Sequence, residues 1–389
     1  MKSFLLLLLL LLVFVSFSTT TNAAYNIVDF GAKADGKTDA AAAFRKAWAA
    51  ACGAAKPAMI YVPVGRFFVS QGLFQGPCKN NATRVFIDGT LLAPPGYGGG
   101  AGMWIKFQYV DGLSIYGGTL DGRGQAMWAC KTAKLRCPTA VTSLTISKSK
   151  NVLIRGLTSL NSEGFHMSIY GSSGVTVLRA KIFAPDESPN TDGIHIQLSS
   201  SVTIVNTTIG TGDDCISMGA GTANVRIQGI TCGPGHGISI GSLGGVLGDP
   251  GVENITVKSV VLLGTQNGLR IKTWGNPYDG YVRGVVFQHA IMKKVQNPIV
   301  IDQNYCPGRV NCPGQSSGIK ISNISYADVR GSSATKVAVK FDCSASKPCV
   351  GIALQDIKLT YMSSSTPAQS FCNNAKGSIS GVINPPSCL

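Results

Sequence analysis

Short apolar runs rich in β-branched residues recur along most of the chain, separated by turn-forming residues. The clearest runs repeat at steps of 23, 27 and 23 residues, in the segments 151–154, 174–177, 201–204 and 224–227. Similar phrases return at 253–257, 284–287, 318–321 and 351–354. Such a repeat has room for short strands but no helix, so it can bury its apolar side chains only by stacking on its neighbours. The pattern predicts an all-β fold, a single-stranded parallel β-helix, rather than a propeller with longer repeats.

Helical periodicity is convincing in one segment only. Thr38 and Asp39 can cap a helix over roughly 40–51, which is rich in alanine and places Phe44 and Trp48 one turn apart. We expect this helix to cover the open N-terminal end of the coil.

The N-terminal segment has a different character from the repeats. Lys2 precedes an apolar run over about 4–17, and small residues follow up to residues 23–24. This layout is typical of a secretory signal peptide, and the run is short for a membrane span; an uncleaved anchor is the alternative. We therefore expect a signal peptide at 1–23, one β-helix domain at 24–389, an extracellular or cell-wall location and no stable membrane association.

A set of polar residues keeps a constant phase within the repeat. Asp192, Asp214 and His236 follow one another at intervals of 22 residues, and Asn267 takes the equivalent place in the next repeat. Strand side chains alternate between two faces, and adjacent strands lie about 4.8 Å apart. We therefore expect these four residues to form one column on the coil, beside a row of outward-facing side chains at His195, Ser217, Ser239 and Arg270.

This column would bring three carboxyl groups together, those of Asp192, Asp213 and Asp214, with His236 above them. Like charges at such distances raise the pKa of one carboxyl group, so that a protonated acid coexists with ionised bases. Glycoside hydrolysis requires that combination, one acid for the leaving oxygen and one base for water or a nucleophile. The joint alignment favours a catalytic site without a metal or other cofactor.

Other interpretations of these residues remain open. A single aspartate in a turn is most often a turn residue, carboxylates can also bind calcium, and a single histidine is usually an ordinary surface residue. The formal net charge of +15 is spread along the chain and favours an anionic partner, although it could serve solubility alone. No nucleic-acid-binding motif occurs, so an acidic polysaccharide is a better candidate than nucleic acid.

The 12 cysteines agree with export, because secreted proteins use them as disulfides. A zinc site is the competing interpretation, disfavoured by the lack of Cys-x-x-Cys pairs. Nearness in sequence suggests the pairs below, although free thiols would also fit: Cys130 with Cys137, Cys215 with Cys232, Cys306 with Cys312, Cys343 with Cys349, Cys372 with Cys388, and the remaining Cys52 with Cys78. Four sequons could carry glycans, at Asn81, Asn206, Asn254 and Asn323.

The polar segments resemble the four signature segments of the polygalacturonases, glycoside hydrolase family 28. The matching segments are 190–192, 212–214, 235–237 and 270–272, and the similarity extends from about Tyr25 to the C-terminus. The resemblance implies a right-handed parallel β-helix that hydrolyses α-1,4 bonds between galacturonic acid units with inversion. Closely spaced carboxylates alone would indicate a retaining enzyme; we follow the resemblance, because two acids that share one water can lie closer than that rule assumes.

Roles follow residue by residue from the same resemblance. It implies that Asp213 is the general acid, that Asp192 and Asp214 activate water, and that His236 supports protonation of the acid.

The resemblance also implies a binding site for the acidic substrate. Arg270 and Lys272 would bind a substrate carboxylate, and Tyr305 would line a sugar subsite. These residues favour homogalacturonan over a rhamnose-interrupted backbone, and the whole-chain similarity is nearest to pollen-type exo-acting enzymes. We expect a monomeric exopolygalacturonase; the alternatives are an endopolygalacturonase, a calcium-dependent pectate lyase and a non-catalytic pectin-binding protein of the wall.

Overall fold

Parallel strands stacked coil upon coil form nearly all of the protein. The computed structural model describes residues 23–97, 102–363 and 366–389. Residues 1–22 lie outside them, so the signal peptide and the domain boundary after residue 23 remain predictions. In chain order the described strands are β1 (Ala23–Asn26), β2 (Asp35–Asp39), β3 (Ala58–Val62), β4 (Arg66–Phe68), β5 (Gly72–Gln75), β6 (Thr83–Leu92), β7 (Met103–Gln108), β8 (Asp111–Asp121), β9 (Thr142–Ser147), β10 (Lys150–Arg155), β11 (Thr158–Leu160), β12 (Met167–Tyr170), β13 (Ser173–Leu178), β14 (Lys181–Phe183), β15 (Ile194–Gln197), β16 (Ser200–Val205), β17 (Thr208–Gly210), β18 (Ile216–Met218), β19 (Ala223–Cys232), β20 (Ile238–Leu243), β21 (Val252–Leu263), β22 (Asn267–Trp274), β23 (Gly280–Val295), β24 (Asn297–Tyr305), β25 (Ile319–Ser333), β26 (Val337–Asp342), β27 (Cys349–Tyr361), β28 (Gln369–Asn373) and β29 (Ala375–Asn384).

Hydrogen bonding divides these strands into a sheet of eighteen and a sheet of eleven. In the larger sheet, the long strand β8 pairs with β10 near its start and with β11 near its end. One long strand therefore occupies the two positions that two short strands occupy in the following coils. The smaller sheet joins β5, β7, β9, β12, β15, β18, β20, β22, β24, β26 and β28. The fold is the predicted right-handed parallel β-helix.

The repeated apolar phrases stack in register, as their phase predicts. Val152 pairs with Val175, which pairs with Val202, and all three side chains are buried. One predicted phrase was wrong: Ile324, not a residue of 318–321, takes this place in its coil, because it is Ile324 that pairs with Val285. The segment 318–321 has a similar composition, but it lies at the start of β25, a few residues before Ile324.

The predicted capping helix is confirmed as α1 (Ala41–Gly53). Asp39 accepts a hydrogen bond from the Ala41 backbone amide at 2.9 Å, which satisfies one of the free donors of the first turn. The rings of Phe44 and Trp48 are buried against Phe74, with centroid separations of 4.5 and 5.5 Å. The helix therefore covers the apolar interior at this end of the coil.

A second helix, α2 (Gln125–Thr132), for which the sequence shows no convincing helical period, follows β8. Its eight residues are too few to display a helical period in the sequence, and contacts outside the helix anchor it. The Trp128 indole donates to the Ser162 carbonyl at 3.0 Å, and Cys130 forms a disulfide with Cys137 just beyond the helix. Two 3₁₀ turns, Ile27–Phe30 and Pro307–Arg309, complete the helical segments of the described residues.

The structure contains all six cysteine pairs that the sequence suggested, and none of the 12 cysteines is free. The asparagines of the four sequons are exposed. Within the described residues, no helix combines the length and the apolar character that a membrane span requires.

Candidate active site

Four neighbouring strands of the smaller sheet place the polar column that the sequence predicted. Ile194 pairs with Ile216, Ile216 with Ile238, and Ile238 with Leu269. Two residues before each of these apolar positions stand Asp192, Asp214, His236 and Asn267, which therefore occupy equivalent places in successive coils. The outward row follows the same register and consists of His195, Ser217, Ser239 and Arg270.

Tight backbone packing fixes the turns that hold Asp213 and His236. The His236 backbone amide donates to the Asp213 carbonyl at 2.8 Å, and the Asp214 amide donates to the Asp213 side chain at 2.8 Å. Gly237 has a φ of +92°, and a Cβ atom there would collide with the Asn267 carbonyl oxygen. A glycine beside the histidine is therefore required by the close approach of the next coil.

Asp214 lies at the centre of a buried charge cluster. Its Oδ1 accepts a hydrogen bond from the Arg270 guanidinium at 2.7 Å, and its Oδ2 accepts one from the Lys272 ammonium at 2.7 Å. Ser239 adds a hydrogen bond to Oδ1 at 2.7 Å. Burial alone would raise the pKa of Asp214, but the two cations and these hydrogen bonds outweigh it and lower the pKa. The carboxylate is therefore held ionised.

Asp192 has the opposite environment. Its side chain is buried and lies near the negative charges of Asp213 and Asp214, while no cation forms an ion pair with it among the described residues. Burial first, and then the two neighbouring charges, raise the pKa of Asp192 well above its usual value. A hydrogen bond from Ser217 at 2.6 Å offsets only part of this. Of Asp192 and Asp214, Asp192 therefore holds a proton more readily.

Asp213 is the more accessible partner in the cluster. Its side chain is 17% exposed, against 1% for that of Asp214. His236 Nδ1 lies 3.0 Å from Asp213 Oδ1, and the Asn190 amide donates to Oδ2 at 3.4 Å. The geometry therefore pairs His236 with Asp213, although the coil register aligns this histidine with Asp214.

A cleft of about 290 Å³ opens over the cluster. Asp192, Asp213, Asp214, Lys272 and Tyr305 all line it. The Lys272 ammonium lies 5.2 Å from the centre of the Tyr305 ring, within the range of a cation–π contact. The structure thus brings these five predicted site residues to one solvent-connected surface.

Arg270 is nearly buried among its partners. It is 8% exposed, and its Nε donates to Ser239 Oγ at 2.9 Å while its Nη2 donates to Asp214. The guanidinium is therefore bonded within the cluster, and its contact with a substrate carboxylate stays a prediction.

Sequence reasoning gave no role to three residues of the outward row. Ser217 and Ser239 each donate a hydrogen bond to a cluster aspartate, and His195 contacts Ser217. The alternation of strand side chains placed all three on this face. It could not identify their partners, because each partner belongs to another coil.

The donor atoms of Asp213, Asp214 and His236 lie within 4.8 Å of one another, close enough to hold a metal ion. However, Arg270 and Lys272 already neutralise Asp214. A divalent cation would have to compete with two positive charges at that carboxylate, so this arrangement disfavours a resident metal.

Comparisons with known proteins extend the structural observations. Residues 52–384 match the family model described as "Glycosyl hydrolases family 28". A "Polygalacturonase" of Prunus persica is 54% identical over 368 residues, covering 94% of this chain and 93% of the relative. An "Exopolygalacturonase" of Platanus acerifolia is 42% identical, covering 93% of this chain and 97% of the relative.

Solved structures agree with this family match. A polygalacturonase from Erwinia carotovora ssp. carotovora superposes with a TM-score of 0.72 at 27% identity, covering 88% of this chain and 94% of that one. An endo-xylogalacturonan hydrolase from Aspergillus tubingensis has a TM-score of 0.75 at 23% identity, covering 92% of this chain and all of the other. The second likeness supports the fold alone.

The opposite environments of Asp192 and Asp214 predict opposite effects of neutralising each carboxylate. Because the pKa of Asp192 is raised, its ionisation costs stability as the pH rises through that pKa. We expect Asp192→Asn to raise the melting temperature at pH 7 by about 2 °C, roughly the effect of 1 kcal/mol in a large domain. The gain should disappear at acidic pH, where Asp192 is already protonated. A scanning calorimetry series that shows an equal or negative shift at all pH values would contradict this.

Asp214→Asn is the matched comparison. It leaves Arg270 and Lys272 buried without a counter-charge, which we expect to lower stability by about 3–5 kcal/mol at pH 7. Because the pKa of Asp214 is lowered, the stability from its ionised form is present above the usual carboxyl pKa and is lost as the pH falls through the lowered one. The difference from the wild type should therefore be largest at neutral pH in the same calorimetry series.

Proposed function

Because the chain belongs to glycosyl hydrolase family 28, we propose that it is a polygalacturonase, which hydrolyses α-1,4-galacturonosyl linkages of de-esterified pectin. The observation that carries this proposal is that the three carboxyl groups of the cleft have different electrostatic environments. Asp214 is held ionised by two cations, Asp192 has a raised pKa that makes its carboxylate the stronger base, and Asp213 is accessible beside His236. Hydrolysis of a glycosidic bond needs an acid and a base with such different environments.

In the proposed mechanism Asp213 is the general acid. Its position at the cleft surface lets the carboxyl group reach the glycosidic oxygen and donate a proton as the bond to the leaving sugar breaks. His236 holds Asp213 by the 3.0 Å contact, and a protonated imidazole can return a proton to the acid after turnover.

The two remaining aspartates divide the activation of water between them. Asp192, whose pKa is raised, is the stronger proton acceptor of the two once it is ionised. Asp214, with its lowered pKa, stays ionised and orients the water. After attack at the anomeric carbon, the proton from water rests on Asp192 and is released to solvent before the next turnover.

The substrate carboxylate finds its nearest ligands at one side of the cluster. Lys272 lines the cleft, and Tyr305 lies beside it. We propose both as substrate-binding residues. Arg270 supports this site by keeping Asp214 ionised, so that loss of Arg270 would impair the base as well as any contact with substrate.

The proposed setting is an extracellular one, with the protein as a monomer on cell-wall pectin. Six disulfides suit an oxidising compartment, and the net charge of +15 suits a polyanionic substrate. No metal or other cofactor takes part in the proposed reaction, since the acid, the base and the cations are all supplied by side chains.

One incubation with polygalacturonate and EDTA tests this function. We expect new reducing ends, no ultraviolet-absorbing unsaturated product, and no dependence on the chelator. Asp213→Asn should fold normally by circular dichroism and lose turnover by about 10²–10⁴-fold, the usual effect of removing a general acid. Unsaturated products that vanish with EDTA would identify a lyase instead, and binding without new reducing ends would identify a non-catalytic pectin-binding protein.

The stereochemistry of the product tests the roles of Asp192 and Asp214. Because both are proposed to act on water and not as nucleophiles, the bond should break with inversion, and the α-linked substrate should first yield the β-anomer. Proton NMR within the first minutes of a concentrated reaction can observe the anomer before mutarotation. An initial α-anomer would instead require a covalent intermediate on one of the two aspartates.

A further inference from the structure

The catalytic cleft continues into two further grooves, one toward each end of the coil. The N-terminal groove, of about 450 Å³, shares Phe165, His195 and Gln197 with the cleft. The C-terminal groove, of about 380 Å³, shares Tyr305 with it. Among the described residues, the catalytic cluster therefore lies between two open spaces and not at the closed end of one.

The N-terminal groove is basic. Lys106 and Lys148 line it together with Tyr170, and no aspartate or glutamate is among its described lining residues. Neither lysine forms an ion pair within the described part of the chain. The Lys148 ammonium lies 3.4 Å from the hydroxyl of Tyr109, so the charge is positioned without being neutralised.

The groove is also long enough for several sugars. Lys106 pairs with Thr145, and Thr145 with Ser168, which pairs with His195. Three strand spacings separate Lys106 from His195, or about 14 Å.

We propose that Lys106 and Lys148 bind carboxylates of galacturonate units on the opposite side of the scissile bond from Lys272, and that the enzyme cuts inside pectate chains, because the C-terminal groove also leaves room for sugars beyond Lys272. This inference rests on the proposed function and names how the substrate lies. The tyrosines beside the lysines offer aromatic surface for sugar rings. It departs from the sequence-based prediction of exo cleavage, since an exo enzyme needs only a terminal sugar on one side of the bond.

The test uses defined oligogalacturonates labelled at the reducing end, with early products sized. We expect a ladder of oligomers from the wild type. Lys106→Gln combined with Lys148→Gln should raise KM for long oligomers by about tenfold, as for the loss of charge-assisted hydrogen bonds, and leave KM for the shortest cleaved oligomer within about twofold. The control is Lys181→Gln with Lys358→Gln, which removes the same charge from exposed lysines of the larger sheet.

Two results would overturn the inference. The first is galacturonic acid as the sole early product, and the second is a KM for the groove variant equal to that of the control. If the protein hydrolyses nothing, the proposed function fails separately. Calorimetric titration with a long oligogalacturonate then still tests whether the N-terminal groove binds the substrate. The binding site is supported only if the groove variant binds the oligomer more weakly than the control variant does.

A hydrogen-bonded chain behind Asp192 carries a second, independent inference. Ser217 Oγ donates to Asp192 Oδ2 at 2.6 Å, and His195 Nδ1 lies 2.8 Å from the same Oγ. With the serine proton directed to Asp192, the hydroxyl oxygen must accept from His195, which places the histidine proton on Nδ1. The Phe165 ring, 4.7 Å from that of His195, holds the imidazole in this orientation.

The geometry points to His195 as a positioning residue for Asp192, acting through Ser217. The chain can also reverse: when Asp192 is protonated it donates to Ser217, which then donates to His195 in its other tautomer. Asp192 thus keeps a hydrogen-bond partner both before and after it accepts the proton of water. Arg270, Ser239 and Asp214 form a similar hydrogen-bonded chain one coil away. Arg270 can only donate, so that chain cannot reverse.

A double-mutant cycle tests this arrangement. His195→Ala and Ser217→Ala should each lower kcat about tenfold, with KM for polygalacturonate within about twofold, since Ser217→Ala removes a hydrogen bond from the base and His195→Ala removes the partner that orients Ser217. The double variant should lose little more than either single variant, because both act through one chain. His195→Asn keeps a donor near the position of Nδ1 and should restore most of kcat. Additive losses of kcat, or no recovery of kcat with asparagine, would contradict the positioning role and show that His195 contributes only packing.

Discussion

The register between neighbouring parallel strands is the constraint on which the site depends. One strand spacing brings residues that are 22 or more positions apart in sequence into hydrogen-bonding distance. Ser217 reaches Asp192 and Ser239 reaches Asp214 in this way, each across 25 residues. A slip of one residue would turn these side chains into the core and bring the buried isoleucines out. Burial of the apolar rows therefore also determines the positions of the catalytic side chains along the coil.

Charge compensation is the second determinant of the chemistry. Two cations, 56 and 58 residues further along the chain, converge on Asp214, whereas none pairs with Asp192 in the described structure. Two carboxyl groups on adjacent coils consequently have opposite proton affinities. The same pairing explains why Arg270 and Lys272 are tolerated in a nearly buried position, because each has an ionised partner.

Much of the fold was accessible from the sequence because the repeat is strict where the core is regular. The phases of Val152, Val175 and Val202, the capping helix and all six cysteine pairs agree with the structure. The failures have local causes. The helix α2 is short and is held by a disulfide and by Trp128, and the phrase at 318–321 resembles the repeat in composition while lying at another phase of it.

The sequence by itself determined which residues share one face of the coil, because strand alternation and a constant repeat leave little freedom in the direction of a side chain. It could not determine which of these residues pair, because an ion pair depends on how side chains from different coils extend toward one another. The tertiary structure therefore decided that His236 contacts Asp213, that Arg270 binds Asp214, and that grooves lined by described residues flank the cluster on both sides.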